Sequence, residues 1–339
     1  MSAIDFVHLH VHTQFSLLDG AIKLPDLFAK AQDDGMSAVA ITDHGNMHGV
    51  VQFTQQAKAA GIKPLIGCEV YVAHQDRFDK ANNQPRPYHL VLLCENEEGY
   101  RNLVKIVTAA HVEGKTPGIF GRPRCDKAIL AQHHAGLIAL SACLQGEVPR
   151  AFREQGLERA VEAADWYRQL FKDRFYLEIQ RNGLEEQERV NAGLLQVAKK
   201  LALPVVATND CHYLNADHAR SHELLLCIQT GKTIKDETRF KFNTDQIYFR
   251  TKQEMADVFA DMPEALTRTL EVAERCNFKM TFGELIYPRY EAPAGQDLAE
   301  HFEDLSKKGL AKRLQVIKEN HDPERDGPWF SRSEEHTSE

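Results

Sequence analysis

His8-Leu9-His10-Val11-His12 sets a histidine at every second position of a short apolar run. In an extended chain, side chains two residues apart share a face. The run therefore predicts a strand, Phe6–His12, whose three histidines point the same way, with His10 and His12 nearest its exit. Three further stretches have the same form: Thr42-Asp43-His44-Gly45-Asn46, Cys68-Glu69 and Asn209-Asp210-Cys211-His212. Each brings histidine or carboxylate to the end of an apolar run, at the same place in its own strand-helix unit.

Working outward, apolar runs at Ala38–Thr42, Pro64–Val72, His89–Cys94, Leu137–Ser141, Tyr176–Gln180 and Pro204–Thr208 predict six more strands. Amphipathic stretches between them predict helices over Pro25–Asp34, Met47–Ala60, Glu97–Ala110, Glu158–Phe171 and Leu184–Leu201. Such alternation suggests a parallel barrel or a doubly wound sheet. The polar positions decide for the barrel, because only a ring of strands makes so many strand ends converge on one point.

Beyond His212 the texture changes. Asn215–Thr230 reads as a helix with Leu224, Leu225, Leu226 and Ile228 inward, and Asp236–Arg250 as a loop with short strands. Helices are expected at Lys252–Phe259, Pro263–Cys276 and Asp297–Glu319, with Pro288, Pro293 and Gly295 marking a linker.

The net charge of −8 argues against a surface that grips duplex DNA broadly, so any contact with nucleic acid is expected to be local. No apolar stretch approaches the roughly 20 residues of a membrane span. The first residues, Met1–Asp5, do not read as a signal peptide. Seven scattered cysteines without a Cys-x-x-Cys pair argue against a disulfide framework and for a reducing, cytoplasmic setting.

Imidazole and carboxylate together suit Zn²⁺, Mn²⁺ or Fe²⁺. A lone histidine is ordinarily a core or surface residue, but His-x-His-x-His followed by Asp19 is a metal-binding pattern. His8, deepest in its strand, has a structural alternative. His44 can ligate, and Asp43 can ligate or orient a neighbouring histidine. Glu69 inside a run of β-formers is costly unless paired or metal-bound. Cys68 has the opposite parity and is expected to pack in the core. Asp210 and His212, two apart, can chelate one ion. His89 and Cys143 would not draw notice singly. Two or three such metals activate water and clamp an oxyanion, the chemistry of phosphoester hydrolysis. No dinucleotide-binding glycine motif, P-loop or Gly-x-Ser-x-Gly elbow is present.

The run His8–Thr13, then Ser16-Leu17-Leu18-Asp19-Gly20, then Thr42–Asn46 resembles the polymerase-and-histidinol-phosphatase (PHP) domain. More closely, it resembles the N-terminal region of bacterial DNA polymerase III alpha subunits, through Lys63–Tyr71, Gly99–Val104, Gly136–Ser141, Ala207–Asp210 and Tyr248–Met255. The resemblance implies an α/β fold, a distorted seven-stranded (β/α) barrel, with the start of a following polymerase domain. It implies a ligand set of His10, His12, Asp19, His44, Glu69, His89, Cys143, Asp210 and His212, holding two to three divalent ions. It also implies metal-dependent 3′–5′ exonuclease activity or docking of a proofreading exonuclease subunit. The parent would be a DNA-directed DNA polymerase, a nucleotidyltransferase. Its Mg²⁺-binding catalytic aspartates would lie further along, and its partners would be DNA and other replicase subunits including the sliding clamp. The alternative is a stand-alone phosphoesterase of the histidinol-phosphatase type.

On this reading residues 1–285 form the PHP domain with its trailing extension, and 286–331 a linker and the truncated start of a palm region. Arg332–Glu339, without an apolar residue, resembles a translated sequencing adapter and reads as a non-native tail.

Overall fold

The apolar runs pair into one curled mixed sheet. The computed structural model describes residues 5–79, 85–115, 121–285, 287–288 and 290–320, so the expected tail at 332–339 lies outside the described residues. The strands are β1 (Ala38–Ile41), β2 (Lys63–Val72), β3 (Tyr88–Cys94), β4 (Arg124–Cys125), β5 (Leu137–Leu140), β6 (Phe175–Gln180) and β7 (Val205–Thr208). Their order is β1-β2-β3-β5-β6-β7, with β4 paired to β2. Residues Thr281–Glu339 form a second unit, whose 23-residue helix Leu298–Asn320 has no buried side chain.

Two expectations about this sheet need correction. First, it is not all parallel: β3 runs antiparallel to both β2 and β5. The described residues between Val72 and Tyr88 contain no helix, so no crossover returns the chain to the start of the sheet.

Second, Phe6–His12 is extended but forms no ladder, only an isolated bridge from Val11 to Cys211. Two of its backbone N–H groups go to side chains instead: Val7 donates to Thr269 Oγ1 and Val11 to Thr42 Oγ1. The segment still touches both ends of the sheet. The His8 and Val11 carbonyls accept from Ala40 within β1 and Thr42 just after it, and the His10 carbonyl accepts from Cys211 beyond β7. It thus acts as an irregular stave closing the curl.

Alternation along the strands creates two cores. Ile41, Cys68, Val70, Leu92, Leu177 and Ala207 belong to the larger one, shared with the surrounding helices. Ala40, Leu65, Val91, Leu93, Leu140, Tyr176 and Val206, of the opposite parity, form a smaller cluster with Val272, Ala273 and Cys276 of the helix Pro263–Arg275 and its end. Glu69, Glu178 and Thr208 share the parity of this smaller cluster, further along their strands. The inner face therefore changes from apolar to ionisable towards one rim.

The other helices lie close to expectation, including Val50–Ala60, Glu97–Val112 and Glu185–Leu201. In Ala219–Thr230, however, Leu226 is buried with His222 and Cys227, whereas Leu224 and Ile228 are exposed. The buried stripe follows the 3.6-residue period through His222, a polar residue the apolar pattern passes over. Residues 236–250 hold no strand, only a bridge from Tyr213 to Tyr248.

Candidate metal centre

Seven parts of the chain deliver side chains to the rim. The irregular stave brings His10 and His12, and the turn after it brings Asp19. His44 leaves β1, Glu69 lies within β2, and Cys143 follows β5. Asp210 and His212 follow β7. His89 lies at the start of β3, yet reaches the same rim because β3 runs the other way.

Three of the five non-glycine residues with positive φ among the described residues are Leu18 (61°), Ala142 (60°) and Asp210 (49°). They precede Asp19, precede Cys143 and carry a rim carboxylate. Left-handed backbone costs an ordinary residue about 1–2 kcal/mol, and such strain collects where function fixes geometry.

The polar atoms meet closely. His10 Nε2 lies 3.1 Å from His12 Nε2, 3.3 Å from a Glu69 oxygen and 3.3 Å from Asp210 Oδ1. Asp210 Oδ1 is also 3.1 Å from His12 Nε2. His44 Nδ1 approaches Glu69 Oε2 at 2.6 Å, and His44 Nε2 approaches Asp19 Oδ2 at 3.2 Å. His89 Nδ1 is 2.9 Å from Glu69 Oε1, and Cys143 Sγ is 3.7 Å from that nitrogen. His212 Nε2 lies 3.8 Å from Asp19 Oδ1, so the structure brings the nine expected residues together at one rim.

Three imidazoles are held with Nε2 towards the cluster. His10 Nδ1 faces Glu178 Oε1 at 2.7 Å, and His12 Nδ1 faces Ser16 Oγ at 3.1 Å. His212 Nδ1 donates to the Asp210 carbonyl at 2.8 Å. Tying one ring nitrogen fixes the tautomer and leaves the other as a ligand atom.

Burial opposes charge on Asp19 and Glu69. The surrounding histidines outweigh it, His212 for Asp19 and His89 with His44 for Glu69, and hold both carboxyls well below the usual range. Burial, with His44 and His212 nearby, pushes His12 down to about 3. Burial also opposes charge on His10, but Asp210 and Glu178 outweigh it and raise that ring well above its ordinary value. Burial, then Asp210 and Glu69, push the Cys143 thiol well up.

The buried side-chain atoms without a hydrogen-bond partner include His44 Nδ1, His44 Nε2, Glu69 Oε2 and Asp210 Oδ1. His44 Nδ1 and Glu69 Oε2 are close without the alignment of a hydrogen bond. Orphaned buried polar atoms are costly, and divalent cations held among these residues would relieve that cost. Among the described residues, three triads bring one ligand atom each to within 4.8 Å of one another: His12, His44 and His212; His10, His12 and Glu69; His44, Glu69 and His89. Glu69, His12 and His44 each belong to two of these triads. The donor set fits more than one divalent ion of the zinc, manganese or iron type.

A family model described as PHP domain matches residues 8–182. The chain belongs to the PHP domain family. The DNA polymerase III subunit alpha of Borreliella burgdorferi is 42% identical over 316 residues, 92% of this chain and 27% of that protein. The subunit of Treponema pallidum is 41% identical over 323 residues, 94% and 27% of the two chains. That of Thermus aquaticus is 41% identical over 326 residues, 92% and 26%. The chain thus spans about a quarter of the length of the curated relatives it matches.

Three sequence readings of the PHP rim resolve in particular ways. His8 does not share the direction of His10 and His12, because the alternation changes phase between Leu9 and His10 in a segment freed from ladder pairing. Its Nε2 donates to the Arg250 carbonyl at 2.8 Å, and its ring packs 4.2 Å from that of Phe249, which makes it a core histidine. Asp43 accepts from Thr13 N and Ser16 Oγ, both at 2.7 Å, so it braces the turn that holds His12 and Asp19. Cys68 is in the outer core, as its parity predicts, and donates to the Asp43 carbonyl.

Four participants in the PHP rim escaped the sequence reading. Glu178 and Thr208, hydrogen-bonded to each other, stand behind His10. Ser16 stands behind His12, and buried His222 lies 3.4 Å from Asp19 Oδ1. Glu178 carried the same signal as Glu69, a carboxylate inside a β-run.

Proposed function

We propose that this chain is the metal-binding PHP part of a DNA polymerase III alpha subunit, and that its rim hydrolyses phosphoesters, a single-stranded DNA 3′ end among them. The nine rim residues are its proposed ligands for two to three divalent ions. The observation that carries this reading is the set of four orphaned buried ligand atoms on His44, Glu69 and Asp210. A scaffold that only docked partners would have no physical need to keep them.

Divalent ions held there would lower the pKa of a bound water and polarise a phosphoryl oxygen. The chain itself supplies the shape. Glu69 and Asp210 bring charge to the floor, and Glu178, Ser16 and the Asp210 carbonyl lock the rings that flank it. Similarity to the alpha subunits over more than nine-tenths of the chain favours the polymerase setting over a stand-alone phosphatase. DNA synthesis, the proofreading subunit and the sliding clamp belong to the proposed parent, and the division near residue 285 is part of the same proposal. Among the described residues, no helix is long and apolar enough to cross a membrane.

The test is digestion of a 3′-labelled single strand with added Mn²⁺ or Zn²⁺. Slow, metal-dependent shortening is expected, lost in His44→Ala. Equal rates in the two proteins, or no cleavage by either with metals verified in place, would overturn the hydrolytic reading.

A further inference from the structure

A cleft of about 140 Å³ opens directly over the rim. Its floor includes Asp19, His44, His89 and His212, and its walls are of two chemical kinds. From the side of β2 and β3 come two cations. Arg122 lies 4.9 Å over the ring of Tyr71, and Arg86 sits just ahead of β3. From beyond β7 come Phe240 and Phe242, with ring centroids 5.4 Å apart. Phe242 leans on His212 and His222, at 5.5 and 5.6 Å, while Phe240 is 44% exposed.

The loop that carries these rings is anchored. Arg239 pairs with Glu223, and Asn209 Nδ2 donates to the carbonyls of Gln246 and Tyr248 at 2.8 and 2.7 Å. Two phenylalanines are thus held at the mouth of a polar site, one of them with much of its surface in water. Core packing does not explain that placement.

We propose that Phe240 and Phe242 form a nucleobase platform, with Arg86 and Arg122 as phosphate anchors, so that the cleft selects strand ends that carry a base. This rests on the metal-dependent phosphoester reading and deepens it. An aromatic face stacks any base, so the platform is sequence-tolerant, and the arginines hold phosphate without reading sequence. A sugar phosphate without a base leaves the phenylalanines wet. A base-bearing nucleotide uses the floor, the cations and the aromatic wall together.

The experiment is binding of a 5′-fluorescent dT octamer to the Mn²⁺-loaded protein, followed by anisotropy. It is compared with an octamer whose 3′-terminal residue is an abasic tetrahydrofuran nucleotide. Wild type is expected to bind the intact octamer about tenfold more tightly than the abasic-ended one. Phe240→Ala, at an exposed position that leaves the fold intact, should abolish that difference and leave the abasic-ended affinity unchanged. Arg122→Gln should weaken both octamers alike and reduce the salt slope by about one. Equal binding of the two octamers by wild type overturns the proposal, as does a Phe240→Ala loss that is the same for both. Because the readout is binding, base-dependent affinity without cleavage would retain the platform and sink the hydrolytic reading. Cleavage without base preference would do the reverse.

Discussion

Glu178 Oε1 lies 2.7 Å from His10 Nδ1, and both side chains are fully buried. The same oxygen accepts from Thr208 Oγ1 and Gln180 Nε2. This carboxylate therefore stands behind His10, fixes the ring and keeps Nε2 turned to the rim. Outer carboxylates of this kind orient ligands and raise their basicity.

Glu178→Gln is expected to lower metal affinity about 10- to 100-fold while the fold survives. Competitive titration with a chromogenic chelator gives the affinity, and circular dichroism checks the fold. Unchanged affinity would mean that Glu178 only fills space. Glu178→Asp, which keeps the charge, should recover part of the loss.

The two faces of β2 predict opposite outcomes for neighbouring residues. Glu69→Ala should cut the metal content of the rim to at most one equivalent, because two of the three ligand triads lose a member. Cys68→Ala should keep its metals and lose only about 1–2 kcal/mol of stability. Denaturant unfolding and metal analysis read the two effects. Metal loss in Cys68→Ala would show that the strand faces are reversed.

How much of this was legible in the sequence depends on what each residue pairs with. The stretches around His10, His44, Glu69 and Asp210 announced themselves because charge at the end of an apolar run is a local anomaly. Cys143 and His89 were identified only through family resemblance, since one cysteine or histidine beside a strand is no anomaly. The antiparallel course of β3 was legible in principle, because no helical pattern separates Val72 from Tyr88. The phase change after Leu9 was not. It arises from hydroxyls of Thr42 and Thr269, which lie distant in sequence and take the N–H groups that a ladder would use. His222 was hidden for a similar reason: its partner, Asp19, is 203 residues away.

Gly45 sits between His44 and Asn46 with φ +60°, and a Cβ there would meet Pro123 at 2.9 Å and the Tyr71 ring at 3.1 Å. Gly45→Ala is expected to cost about 2 kcal/mol or more from the left-handed backbone and the crowding together. It should also displace His44 and weaken metal binding. Thermal unfolding with and without chelator separates the two contributions. Wild-type stability in the variant would contradict the backbone assignment.

This chain alone is expected to show no primer extension with primed template and Mg²⁺. Polymerases transfer nucleotides with two metals held by carboxylates beneath the primer end. The described part of the second unit, irregular chain followed by a helix with no buried side chain, offers no such platform. Extension that disappears on mutating an acidic residue after Glu284 would contradict the proposed domain division.

The central claim is that the rim holds a polynuclear metal centre, and metal content tests it most directly. The protein, purified without chelator and dialysed, is analysed by mass spectrometry beside His12→Ala and Asp210→Ala. Two to three equivalents of zinc, manganese or iron are predicted in the wild type. At most one is predicted in each variant, with wild-type thermal stability lowered by chelator. A fully folded wild type that holds no metal and takes up none from excess Zn²⁺, Mn²⁺ or Fe²⁺ would contradict the account.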